Sequence, residues 1–239
     1  MRFLLILLLF SPISILGQGF EYQGEVIEDL PGFLGDEGYK TYRFYTANMA
    51  PNDKLSAIFG VEGGDDLIIR SSTPIFQHDN GGFSANQINC DVFETYPELE
   101  YDSFITLGRE DNCAEGSFGV LVLNPADAFS IFEAGDSLFI EDGEFFIFGY
   151  VVNAFPDENG RVLIAQITTQ GQLSGCLNTQ IFPNNVGQDQ LEMNQCFEHI
   201  FLGCTDSNAC NYDAFATMSD GSCSSRADMD DSGSIDIDD

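Results

Sequence analysis

The sequence predicts an all-β fold: an antiparallel β-sandwich or jelly roll with a small disulfide-held appendage and a C-terminal calcium loop. Three observations carry this. From residue 18 to about Pro183, short β-branched and aromatic runs alternate with Gly, Asp, Asn and Pro, the punctuation of a chain of short strands. No stretch of that zone sustains a 3.6-residue apolar period with caps, so helix is expected to be minor. Hydrophobic residues make up 44% of the 239 positions, 22 of them Phe, which supplies a core despite 39 acidic residues against 8 basic ones.

The strands are expected, in order, at Thr41 to Thr46, Lys54 to Val61, Asp66 to Arg70, Ser103 to Leu107, Phe118 to Leu123, Ser137 to Ile140, Glu144 to Tyr150, Arg161 to Thr168 and Leu173 to Phe182. Two links between them read as hairpins. Glu141-Asp142-Gly143-Glu144 lies between apolar runs, and Asp-Gly tolerates the positive φ of a type I′ turn. Gln170-Gly171-Gln172 links the eighth run to the ninth in the same way. About nine short strands with such links favour two packed sheets over a parallel α/β fold.

The organisation around that domain follows from composition. Met1-Arg2, an apolar run from Phe3 to Phe10 and Gly17 read as a secretory signal peptide over residues 1–17. No second run approaches the ~20 apolar residues needed to span a bilayer, so the mature chain is expected to carry no transmembrane segment. Residues 184–203 read as a connector, 204–223 as a cysteine-rich unit and 224–239 as a calcium loop. The formal net charge of −31 excludes a nucleic-acid partner, since too few cations are present to neutralise phosphates.

Seven cysteines, Cys90, Cys113, Cys176, Cys196, Cys204, Cys210 and Cys223, fit an oxidising compartment. Zinc is disfavoured, because no C-x-x-C occurs and His78 and His199 lack ligand spacing. An odd count leaves one thiol over, and connectivity is open from sequence alone. The one pairing expected is Cys90 with Cys113, which flank the segment from Tyr96 to Leu107; the odd thiol then falls among Cys176 and the four downstream cysteines.

Residues 203–223 are too few to fold on apolar contacts, so disulfides must hold them. The strings Gly203-Cys204-Thr205-Asp206, Ala209-Cys210-Asn211-Tyr212 and Asp220-Gly221-Ser222-Cys223 resemble the cysteine-rich GCTD…ACNY…DGSC repeat of secreted and surface multidomain proteins of marine Bacteroidota. The resemblance covers about a tenth of the chain. It implies an extracellular multidomain setting and no particular reaction. Asp206, Asn208, Asp213 and Asp220 in this unit read either as ligands of an ion or as turn formers.

The tail carries explicit chemistry. Asp228, Asp230, Ser232, Ser234, Asp236 and Asp239 stand at positions 1, 3, 5, 7, 9 and 12 of a loop with Gly233 at position 6, the spacing of oxygen ligands around Ca2+. Asp in place of Glu at position 12 resembles the loop of type I dockerin repeats, which are related to the EF-hand. Those repeats continue into an exit helix and a second copy, so the resemblance implies a truncated unit. The competing reading of the same residues is a solvated acidic tail.

Enzyme signals are weak. Gly135-Asp136-Ser137-Leu138 matches the GDSL tag of an esterase family, but Ser137 lies mid-chain and His199 lacks the Asp three residues before it. His78, beside Asp79 in a glycine-rich loop, is the single acid/base candidate, against the plainer reading of a surface-loop residue. The expectation is a secreted or cell-surface calcium-binding interaction, adhesion or scaffold protein without catalytic activity, with an extracellular protein or polysaccharide as partner. The alternative is a non-catalytic carbohydrate-binding part, or fragment, of a secreted polysaccharide-degrading hydrolase. The chain has no Trp for sugar stacking, which leaves that role to Tyr22, Tyr39, Tyr42, Tyr45, Tyr96, Tyr101, Tyr150 and Tyr212.

Overall fold

The structure, a computed structural model, describes residues 19–113, 121–123, 126–149 and 151–224. The signal-peptide stretch and all six calcium-loop residues, Asp228 to Asp239, lie outside the described residues.

Along the chain come β1 (Glu21–Leu30), β2 (Tyr39–Ala47), β3 (Lys54–Gly60), β4 (Leu67–Ser71), β5 (Phe104–Ile105) and β6 (Leu121–Leu123). One α-helix, α1 (Ala126–Glu133), follows. Then come β7 (Leu138–Ile140), β8 (Gly143–Phe146), β9 (Val162–Thr169), β10 (Leu173–Phe182) and β11 (Leu191–Phe197). β12 (Leu202–Gly203) and β13 (Met218–Ser219) close the described chain. All nine expected strands are present, and the fold is the expected all-β sandwich of two sheets.

The first sheet runs β12-β13-β1-β2-β9-β5. β1, like β11 to β13, is a strand that the sequence conceals: four acids and Gly24 interrupt its alternation, and it forms by antiparallel pairing with β2, from Glu21 opposite Ala47 to Leu30 opposite Tyr39. Tyr22 points inward from β1, and its hydroxyl meets Thr179 Oγ1 at 2.9 Å and donates to Met193 O at 3.0 Å on the other sheet. That contact spans the sandwich through a core built around Phe44, Leu55, Phe132, Phe145 and Ile167.

The second sheet holds two interrupted strands. β3 and β4 both pair with the same edge of β10, Ile58 opposite Thr179 and Ile68 opposite Cys176, so residues 61–66 loop out of one continuous strand line. β7 and β8 form the next line, with Ile140 opposite Leu67 and Gly143 opposite Gly60. β6 pairs with β8, and β11 covers the free edge of β10.

Both expected hairpins are therefore corrected. β7 and β8 do not pair with each other; the chain runs nearly straight through Glu141 and Asp142, because each flanking strand already has its partner in the β3/β4 line. β9 and β10 lie in different sheets, so the turn at Gln170-Gly171-Gln172 carries the chain across the sandwich. Thr169 Oγ1 fixes that crossing: it meets Ser71 Oγ at 2.7 Å and accepts the Gly171 N–H at 3.0 Å.

The stretch read as a connector contains β11, locked to β10 by the Cys176–Cys196 disulfide between directly opposed residues. In the cysteine-rich unit, Cys204 is joined to Cys223, and Met218 of β13 packs into the main core. Asp206, Asp213 and Asp220 accept backbone N–H bonds from Asn208, Phe215 and Ser222, so each closes its own turn. The expected Cys90–Cys113 disulfide is formed, and Cys210 is the cysteine that the three bridges leave over. Three disulfides suit an oxidising compartment. Among the described residues, no helix is long and apolar enough to cross a membrane.

Candidate binding surface

The outer faces of the two sheets differ. Between β4 and β5 the chain makes a long excursion, stapled by the Cys90–Cys113 bridge, that lies over the first sheet. A second apolar cluster of Ala85, Ile88 and Leu99 against Tyr45, Phe104 and Leu163 forms there, which is why every residue of β9 is buried. Buried Gln166 ties the layers together: its amide donates to the Glu100 and Asp102 carbonyls, and its Oε1 accepts from Arg43 Nε at 2.9 Å. Over β9 that face is closed, while Gln23 and Glu25 of β1 remain partly exposed.

The outer face of the second sheet has no such cover among the described residues. Strand alternation turns Leu177, Thr179 and Ile181 of β10 inward and places Cys176, Gln180 and Phe182, each half-buried, on the outer face, where Asn178 alone is fully covered, bonded to Phe59, Asp65 and Asn194. On β8 the same rule puts Phe145 in the core and Glu144 and Phe146 outside. Two depressions, of about 360 and 290 Å³, meet there and share Glu144 and Gln180. The first is bounded by Phe59, Val61, Asp142 and Glu192. The second is bounded by Lys54, Ser56, Phe146, Phe148 and Phe182. Phe148 is 74% exposed and packs edge-on against Phe146 at 4.7 Å between ring centres.

The polar groups of this groove are held in place. Ser56 Oγ donates to Gln180 Oε1 at 2.8 Å, which orients the carboxamide. Lys54 is buried, donates to the Ile147 and Gly149 carbonyls at 3.2 and 2.7 Å, and sits 5.9 Å from the Phe182 ring centre. Burial lowers its ammonium from the ordinary lysine range. A third depression, beside the exposed Cys176–Cys196 bridge, holds Arg70 and His199 at the far end of the sheet.

The residues singled out from sequence are scattered. Ser137 follows a tight turn at Gly135, where φ is 86°, and lines a depression with Asp127 and Phe139, apart from the one that holds His199. The described tyrosines are dispersed: Tyr22 and Tyr45 are buried, Tyr39 and Tyr101 pack edge-on against Phe33, and Tyr96 and Tyr212 are exposed on the excursion and in the cysteine-rich unit, while Tyr150 lies outside the described residues. The aromatic surface is made of phenylalanines instead. Alternation along β8 and β10 was the available sign of it, visible only once the buried face of each strand is known.

His78 lies in a depression of about 290 Å³ with Asp79 and Glu133. Its Nδ1 accepts the Asn80 N–H at 3.1 Å, and its own backbone N–H donates to buried Asp102 at 2.8 Å. Asp102 also accepts the Gly82 N–H and thereby pins this glycine-rich loop. Burial raises the Asp102 carboxyl to about 7, outweighing the backbone N–H bonds that lower it. Because the folded value lies above that of an unfolded aspartate, the folded state holds the proton longer. The stabilisation is complete below about pH 4 and is lost as pH rises towards 7, with a slope approaching 1.4 kcal/mol per pH unit. Urea melts across that window should show this fall in the native chain and a shallower one in Asp102→Asn.

Among the described residues, the one group of three metal-type ligands within reach of each other is Cys90, Asp91 and Cys113, and its two sulfurs are joined in a disulfide. Compared with known protein families, with curated proteins and with solved structures, the chain matches none.

Proposed function

We propose that this chain is an extracellular, non-catalytic binding protein whose recognition surface is the outward face of the second sheet. The observation that carries the reading is the asymmetry of the sandwich. One outer face is covered along β9 by a stapled excursion with its own apolar core, while the other leaves a groove of phenylalanines and oriented polar groups open to solvent. Three disulfides, together with the resemblance of residues 203–223 to a repeat of secreted proteins, support an extracellular setting.

The test pairs a binding measurement with a turnover screen. The folded chain, displayed against arrays of extracellular glycans and peptides, should bind a subset of them, and Phe148→Ala should remove that binding. Turnover of a polysaccharide, ester or peptide that is abolished by His78→Ala would replace this reading with an enzymatic one.

The same proposal assigns one Ca2+ to Asp228, Asp230, Ser232, Ser234, Asp236 and Asp239. Four aspartates in twelve residues repel one another at neutral pH, and a divalent ion relieves that repulsion. Calorimetry on the full chain should give a Kd of about 10⁻⁴ to 10⁻³ M, the weak extracellular range. Asp228→Ala with Asp230→Ala should abolish the heat; an unchanged titration favours the solvated acidic tail.

A further inference from the structure

We propose that the groove over the second sheet takes a neutral polysaccharide chain, an inference that rests on the reading of this face as the binding surface. The first argument is chemical. A sugar ring is amphipathic, with C–H faces that lie on aromatic rings and hydroxyls that need paired donors and acceptors. The groove offers this alternation: Phe146, Phe148 and Phe182 at one end, Phe59 at the other, and the Glu144 carboxylate beside the Gln180 carboxamide between them. Gln180 Oε1 is engaged by Ser56, so the carboxamide presents its N–H groups as donors while Glu144 accepts.

The second argument is charge. The rim is acidic at Asp142, Glu144 and Glu192, and the one lysine of the groove is buried with its ammonium turned to the Ile147 and Gly149 carbonyls. On a chain of net charge −31, sulfated, phosphorylated or uronate-rich chains are repelled. Uncharged hydroxyls are not, and they donate readily to carboxylates.

The third argument is placement. The groove lies on the face of the sheet, over β3, β8 and β10, each of which is paired on both sides; the edge strand β11 borders it only through Glu192, so an extended peptide seated in the groove would find no backbone edge along its length among the described residues. Side chains alone must do the recognising, which suits a ligand read through ring faces and hydroxyls.

Affinity electrophoresis of the full chain tests this, in gels containing soluble β-glucan, xylan or galactomannan as neutral probes and alginate as the anionic one. At least one neutral gel should retard the protein and alginate should not. Phe148→Ala and Gln180→Ala should each weaken that retardation at least ten-fold, whereas Phe215→Ala, 82% exposed in the cysteine-rich unit, should leave it intact. No retardation in any neutral gel, or equal retardation of the two groove variants, overturns the proposal. Phe148-dependent binding of oligolysine without glycan binding would also sink it while leaving the binding face standing. Binding of neither probe, with no Phe148-dependent hit on the glycan and peptide arrays, sinks both.

Discussion

Asn178→Leu is expected to lower the stability of the fold by about 3 kcal/mol, although leucine matches asparagine closely in size. Asn178 is fully buried at the point where the β3/β4 line is interrupted. Its Nδ2 donates to the Phe59 carbonyl at 3.0 Å and to the Asp65 carbonyl at 2.7 Å, the two ends of the excursion of residues 61–66. Its Oδ1 accepts from Asn194 Nδ2 on β11 at 2.5 Å. One carboxamide thus clamps a looped-out segment and ties it to the edge strand. The Val61 N–H already bonds to Asp65 O at 3.1 Å, so the loop keeps one closure in the variant, but Phe59 O and the Asn194 amide lose a partner. Urea unfolding should show a lower midpoint at unchanged slope. A midpoint within about 0.5 kcal/mol of the native chain would mean that the clamp is dispensable. Because Val61 borders the groove, the variant should also weaken the glycan binding proposed for it.

That clamp marks the limit of what could be read from the chain alone. Runs such as Val162 to Thr169 and Leu173 to Phe182 announce themselves through β-branched and apolar content, and both are strands. β11 shows the opposite case: Glu192, Asn194 and Gln195 dilute its alternation, and it becomes a strand because β10 supplies a partner along its length and Cys196 faces Cys176. The Asp142-Gly143 pair has the chemistry of a hairpin turn, yet pairing decides its outcome. Gly60 faces Gly143 there, and a Cβ on Gly60 would run into the Ile140 carbonyl, so the close approach of the two lines is written in a glycine that has no local signature.

The proposed binding face was less legible still. Its aromatic residues come from β3, β8, β10 and the segment after β8, and no sequence spacing joins Phe59 to Phe146 or Phe182. Composition pointed to tyrosines as the stacking residues; burial took Tyr22 and Tyr45 into the interior instead. Tyr22 could go inside because its hydroxyl finds Thr179 and Met193 across the sandwich, and burial then pushes the phenol well above its ordinary range.

Phe145→Ala is expected to cost about 3 to 5 kcal/mol, the range for deleting a large aromatic side chain from a core. Phe145 is fully buried, and its ring packs edge-on against Phe129 of α1 at 4.9 Å and against Phe83 at 6.2 Å. Phe83 and Phe129 stack on each other at 4.3 Å, so the three rings join the helix, the excursion and the second sheet in one cluster. Alanine would leave a void where these three elements meet ring to ring, and interiors packed at this density relax only partly into such a space. The effect should reach the groove, because Glu144 and Phe146 flank Phe145 on the same short strand and point the other way. Phe145→Leu, which refills part of the volume, should recover more than half of the lost stability. Chemical denaturation of both variants decides the matter: a loss under about 1 kcal/mol for Phe145→Ala would show that the cluster is not what joins the three elements.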